Sequence, residues 1–334
     1  MQRKSRQMTL ADAVKETVRA LHAGRLGHAR QLIGDIERSV PDHPSIVELK
    51  RAAAVMGFSW PAQRTTYDPL AVVTPDPATV DIVVFHVARP AAPIAIHEDI
   101  DYLATLRLAF ESAALRAPAA RRILLTDEAT EFPRDLPVHE VLRFPLDPSR
   151  TMYERMRVQR RYLEERGATR CSVLMDADVL VNCDPAGVFA EDFDVGLTWR
   201  EDWEGAPFNG GMIYVAAGRG GARYFDAAVA CYERIADDSG IAPLFPSDLR
   251  NWWGDQFALA AVVGHQAFLK GGRKGLAVDG VKVRFFPCAE YNSTLDPGST
   301  YGIDAIRAMR FLHFKGKRKR LMQEFLNHMR NGII

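Results

Sequence analysis

Residues 171–185 read CSVLMDADVLVNCDP, and the succession of residue types in this stretch decides the architecture. An apolar run, Val173-Leu174-Met175, delivers two carboxylates, Asp176 and Asp178, and a second apolar run, Val179-Leu180-Val181, follows at once. Residues i and i+2 of an extended segment face the same side, so both carboxylates are expected to turn toward one cation or one ligand. Two like charges beside a core strand are costly unless something positive neutralises them. A divalent metal carrying a phosphate fits that need, because carboxylates suit hard cations such as Mg²⁺ and Mn²⁺.

Two other Asp-x-Asp triplets differ from this one by position. Asp99 and Asp101 open an expected helix, Tyr102 to Arg116, where acids in the first turn favour the helix dipole. Asp192 and Asp194 precede an expected strand, Val195 to Trp199, and so belong to its N-terminal end. Asp176 and Asp178 alone come after a buried strand, at the carboxyl end where open α/β sheets hold their ligands.

The composition, 47% hydrophobic and 25% charged over 334 residues, is that of a globular protein with room for one large domain and a small one. A net charge of +1 excludes bulk attraction to nucleic acid or to an anionic membrane, so a phosphate site must arise from local clustering. Cysteines at 171, 183, 231 and 288 lack metal-type spacing and read as free thiols in a reducing compartment. The N-terminal residues show no apolar core of signal-peptide type, and no stretch approaches the roughly 20 apolar residues of a bilayer span. The expected location is cytoplasmic, soluble or peripheral to the membrane.

Residues 1–60 read as a helical region. Thr9 or Asp12 caps a first helix through Ala23, a second runs from Leu26 to Ser39, and Ser45 caps a third from Ile46 to Met56. The spacing Leu21, Gly24, Leu26, Ala29, Ile36, Pro41 resembles one tetratricopeptide-type unit. Such units normally stack at least about threefold. A single hairpin must therefore pack on the rest of the chain, on a second copy or on a protein partner. Residues 61–80, with Pro61, Pro69, Pro75 and Pro77, read as a surface linker. From residue 81 to 334, strands alternate with helices, which argues for a mostly parallel sheet covered on both faces.

Three further segments carry chemistry. Phe208-Asn209-Gly210-Gly211 offers two glycines for close backbone approach and an amide that both donates and accepts. Trp252-Trp253-Gly254-Asp255-Gln256 places two amphipathic rings and an acid at a helix start, where the acid could equally be a simple cap. His313-Phe314-Lys315-Gly316-Lys317-Arg318-Lys319-Arg320 joins an imidazole to a basic run around a glycine, as suits a loop closing on a pyrophosphate. Such a run also suits a nucleic-acid patch.

Taken together, these segments resemble nucleotide-sugar glycosyltransferases of the GT-A type, most nearly glycosyltransferase family 8. Met175-Asp176-Ala177-Asp178-Val179-Leu180-Val181 resembles the family's LD-x-D-x-LV motif, Phe208-Asn209-Gly210-Gly211 its FN-[AS]-G segment, and Asp255-Gln256 its DQ pair. His313, Gly316 and Lys319 match the terminal H-x-x-G-x-x-K, and Tyr153-Glu154-Arg155-Met156 resembles Y-x-R-L.

The resemblance implies an α/β fold with a GT-A-type, mostly parallel sheet flanked by helices, the helical hairpin lying outside it. It implies Mn²⁺ or Mg²⁺ held by Asp176, Asp178 and His313, with Gly316 and Lys319 on the diphosphate. Asp176, Arg155 and Gly210 would serve the donor, and Asn209, Asp255 and Gln256 the sugar and the reacting centre. The family's acidic-Asn-Tyr loop is replaced here by Phe85-His86-Val87-Ala88-Arg89, so nucleotide contacts fall to Tyr102 and Asp127. The implied reaction moves a sugar, with retention, from a UDP-sugar to a glycan, lipid-linked or protein acceptor. No nucleic-acid partner is expected, and the N-terminal helices are the expected site of protein contact or dimerisation. The rival readings are an inverting transferase, with Asp255 as base, and a non-catalytic sugar-, nucleotide- or partner-binding module.

Overall fold

The computed structural model of the chain describes residues 9–23, 25–88, 99–200, 207–245, 252–270, 274–295 and 301–334. Helices α1 (Leu10–His22), α2 (Leu26–Ser39) and α3 (Ser45–Gly57) come first, and Thr9 caps α1 by accepting from the Asp12 amide. The strands are β1 (Arg64–Thr66), β2 (Val80–Phe85), β3 (Arg121–Asp127), β4 (Glu140–Phe144), β5 (Cys171–Met175), β6 (Val179–Val181), β7 (Val195–Trp199), β8 (Phe208–Val215), β9 (Gly275–Val278), β10 (Val281–Pro287) and β11 (Phe311–His313). Between them lie α4 (Tyr102–Arg116), α5 (Thr151–Arg166), α6 (Gly220–Asp237), α7 (Gly254–Val263), α8 (His265–Lys270), α9 (Cys288–Tyr291) and α10 (Ile303–Ala308), and α11 (Met322–Arg330) follows β11.

Nine strands form one sheet in the order β1-β9-β10-β7-β8-β5-β2-β3-β4. β5, β2, β3 and β4 pair in parallel, as do β7 and β10, while β8 is antiparallel to both β5 and β7 and β9 to both β1 and β10. Among the described residues seven strands therefore share one direction, and β8 and β9 oppose it. The alternation of side chains splits the interior into two layers. Val83, Ile123, Leu125 and Leu174 face α5, α6 and α7; Ile82, Val84, Leu124, Val173 and Met175 face α4. A mostly parallel sheet covered by helices is the expected architecture.

Residues 61–80 contribute to this sheet as well as connecting to it. Thr65 of β1 pairs with Ala277 of β9. Arg64 donates to the carbonyls of Val262 (2.9 Å) and Val263 (2.6 Å), satisfying the open C-terminal end of α7. β9 itself was illegible because Gly275-Leu276-Ala277-Val278 is too short and too poor in β-branched residues to stand out.

The three N-terminal helices enclose their own small core, including Leu21, Ala29, Ile33, Ile36 and Leu49. The end of α3 turns Ala54, Val55 and Phe58 into the main core, and the Arg51 guanidinium lies 4.8 Å over the Trp253 ring. The hairpin thus packs on the rest of the chain, and Trp253 is part of that seam. All four cysteines are free, with Cys171 and Cys231 buried. Among the described residues, no helix is long and apolar enough to cross a membrane.

Candidate metal centre

The acid pair sits where the chain leaves one sheet for another. β5 ends at Met175, residues 176–178 turn, and β6 pairs with β11 in a separate two-stranded sheet. The expectation that Asp176 and Asp178 share a face of an extended segment is therefore corrected: a turn brings them together. Its shape is held from outside, the Asp176 amide donating to the Gly211 carbonyl at 2.9 Å and the Phe314 amide to the Asp178 carbonyl at 2.8 Å.

Pairing of β6 with β11 supplies the third group. The register sets His313 opposite Val179, one residue past Asp178. His313 Nε2 lies 3.1 Å from Asp178 Oδ1 and 3.8 Å from Asp176 Oδ2. One ligand atom from each of the three residues falls within 4.8 Å of the others. His313 is buried, whereas Asp176 keeps 30% of its side chain exposed, so the cluster opens to solvent through that carboxylate.

The donor set fits a divalent cation. His313 Nδ1 is 2.8 Å from Asn292 Oδ1, and Asn292 Nδ2 donates to Thr198 Oγ1 at 3.0 Å. Since the amide nitrogen is committed to Thr198, its oxygen must accept, which places the proton on Nδ1 and turns Nε2 toward the acids. That is the outer-shell arrangement of a ligating histidine. Gly211 completes the cradle: a Cβ there would stand 2.5 Å from His313 Cε1 and 2.6 Å from Asp176 Oδ2. Lys319 Nζ approaches Asp178 Oδ2 at 2.6 Å. Burial would raise the Asp178 carboxyl, but His313 and Lys319 hold it well below the usual carboxylate range.

A second charged group adjoins the first. Arg155, on the inner face of α5, bridges Asp176 and Asp255 and donates to the Gly210 carbonyl at 3.2 Å. Burial raises the Asp255 carboxyl, with Arg155 pulling the other way. Trp253 at the N-cap gives α7 no side-chain cap, and the Asp255 carboxylate turns inward to Arg155. Arg155 Nε, Asp255 Oδ1 and Asn209 Nδ2 are buried without a hydrogen-bond partner among the described residues. Asn209 Oδ1 accepts from the Gly211 amide at 2.8 Å, and Gln256 Oε1 from Arg200 at 3.2 Å. The register of β8 on β7 jumps from Ile213 to Asn209 between Leu197 and Thr198, freeing Gly210, Gly211 and Met212 from that ladder. At Gly210 a Cβ would meet Asp255 Oδ2 at 2.6 Å, so this segment must be glycine to pass between the two charged groups.

The terminal loop turns inward. Gly316 has φ +59°, a left-handed conformation that lets the chain reverse after His313 and swing Lys319 back to the acids. Lys319 lies 5.9 Å from the Tyr102 ring centroid, which places Tyr102 beside the loop. Lys315 is half-buried; burial first, and the nearby charge of Arg200 second, push its ammonium down to about 8. Lys317 and Arg320 are exposed. Asp127 stands apart: its Oδ1 accepts from the Thr130 amide at 2.9 Å and closes its own turn. Residue 89 of the first-strand segment lies outside the described residues. Sequence reading missed Asn292, Thr198 and Arg200, none of which sits in a motif.

No protein-family model matches the chain, and no curated protein matches it. A solved structure with a similar chain path is a glycosyltransferase involved in the glycosylation of the major capsid of PBCV-1. It is 13% identical, with a TM-score of 0.42, and the match covers 73% of this chain and 98% of that one.

Proposed function

We propose that the protein is a metal-dependent glycosyltransferase that moves a sugar from a nucleoside-diphosphate donor, a UDP-sugar, to an acceptor hydroxyl with retention of configuration. One observation carries the reading: ligand atoms from a mid-chain turn and a C-terminal strand converge within 4.8 Å, with the histidine's proton pinned on the far nitrogen. In this reading residues 81–334 are the catalytic region, 61–80 its connection, and 1–60 a helical hairpin.

Asp176, Asp178 and His313 would hold Mn²⁺ or Mg²⁺. When bound, such a cation supplies a Lewis acid to neutralise charge on a departing diphosphate. Lys319 adds a fixed positive charge on the same leaving group, and Gly316 lets the loop reach it. Arg155 orients Asp176 through one nitrogen and is itself held by Asp255 through the other. Asp255, buried and engaged with Arg155, serves as a positioning residue, which favours retention over an inverting mechanism with Asp255 as base. Asn209 shapes the Gly210-Gly211 passage, and Gln256, held by Arg200, faces the anomeric carbon as it becomes oxocarbenium-like. Tyr102 contributes to the nucleotide side. Asp127 remains a candidate there only if its own turn opens.

A thermal-shift series with UDP, GDP and CDP, each with and without Mn²⁺, tests the reading, because a ligand that binds only the native state raises its melting temperature. The expected result is stabilisation by UDP only when metal is present, absent in Asp178→Ala. Metal-independent stabilisation, or equal stabilisation of Asp178→Ala, defeats it.

A further inference from the structure

A cavity of 390 Å³ adjoins the metal centre through Asn292, the partner of His313 Nδ1. Asn292, which holds His313 Nδ1, forms part of its wall, and Arg200, which holds Gln256, forms another part. Lys315 lines it too, beside Thr294; the Ser293 hydroxyl in the same wall already donates to the Ala289 carbonyl at 2.6 Å. Arg200 and Lys315 therefore bring two cations to one small space. Both are half-buried, and among the described residues no carboxylate lies in ion-pair contact with the Lys315 ammonium. Asp178 and Asp176 act on Lys315 only through space, and two half-buried like charges in one cavity repel unless an anion is drawn between them. The Thr294 hydroxyl in the same wall provides a further donor of the kind that a carboxylate or phosphate oxygen takes up.

We propose that this cavity is an anion subsite, in which Arg200 and Lys315 grip a carboxylate or phosphate borne by the acceptor. The acceptor assignment rests on the transferase reading above; the subsite itself does not. Its placement separates it from the leaving group. Lys319 faces Asp178 on the Nε2 side of His313, whereas the cavity lies across Asn292 on the Nδ1 side. An acceptor anchored here would present its neighbouring hydroxyl toward Gln256, which Arg200 already touches. The sugar would then pass between the two charged pockets, and neutral acceptors would be poorly held.

Calorimetric titration with sulfate, and separately with acetate, at constant ionic strength and in metal-free buffer tests the subsite. Saturable binding is expected, weakened about tenfold by Lys315→Met and by Arg200→Met, as for loss of one charge-assisted hydrogen bond. Lys315→Arg should restore it, and Lys319→Met should leave it within about twofold, a change below the scale of one such bond. The tighter of the two probes identifies a phosphate-type or a carboxylate-type group. Absence of saturable binding, or binding lost in Lys319→Met and kept in Lys315→Met, overturns the subsite. Repeating the sulfate titration with UDP and Mn²⁺ present should leave its affinity unchanged, and competition there overturns the acceptor assignment. If UDP with Mn²⁺ fails to bind while Lys315-dependent sulfate binding persists, the transferase reading falls and the anion site stands.

Discussion

Strands β2 and β5 lie side by side, and each end of the pair carries acid. At the N-terminal end Asp81, opposite Ser172, is completely buried and fully answered: Tyr162 donates to one oxygen and Arg170 to the other at 2.7 Å. At the C-terminal end Asp176 and Asp178 meet His313, Lys319 and Arg155, one carboxylate stays partly exposed, and three polar atoms nearby lack partners among the described residues. The same residue type beside the same strands thus has two meanings. A carboxylate sealed among exactly enough donors closes a fold. One surrounded by a surplus of charge, open to solvent and walled by glycine, is arranged for something that arrives later. Exposure and the state of the partners together separate the two.

The comparison breaks most sharply by exchange of roles. Asp178→Ala should abolish metal-dependent UDP binding and reduce transfer by more than the roughly 10–100-fold typical of losing an outer-shell partner. Asp81→Ala should instead act on stability. Removing one member of a buried pair costs about 3 kcal/mol here, the low end of the usual range because Arg170 reaches solvent. Urea denaturation would show the lower midpoint, and the folded fraction should keep its metal affinity. A large stability loss in Asp178→Ala with unchanged metal affinity would reverse the assignment.

A smaller effect sharpens the outer shell. Asn292→Ala frees His313 to rotate and should weaken Mn²⁺ binding roughly 10–100-fold, read by calorimetry, with little change in stability. Wild-type affinity in that variant would mean that Asn292 does not set the histidine. The smallest effect lies within the terminal basic run. Lys317 is exposed, so Lys317→Ala should leave UDP affinity unchanged within about twofold, whereas Lys319→Ala should lose it. Equal losses from both would mean that the run acts as a diffuse charged face.

Much of this is legible in the sequence. The apolar runs at 82–85, 123–125 and 173–175 are buried strands because nothing polar interrupts them. Helices α2 and α4 begin and end where the sequence places them, since apolar spacing, the Asp101 cap and the prolines after Ser39 act locally. The motif residues Asp176, Asp178, His313, Lys319, Arg155 and Asp255 do meet. The shape of the acid turn, the strand inside residues 61–80, and the roles of Asn292, Thr198 and Arg200 were not legible. Each depends on a partner far along the chain, and no spacing rule reaches that far.

The sequence by itself determined which groups are available: a strand that ends in two acids, a glycine passage, and a histidine with a lysine six residues on. Those follow from residue type and short-range periodicity, which are local properties. Tertiary structure alone decided their company, because the β6–β11 register, the β8 bulge and the inward reach of α5 are long-range contacts. They fix which nitrogen faces which oxygen.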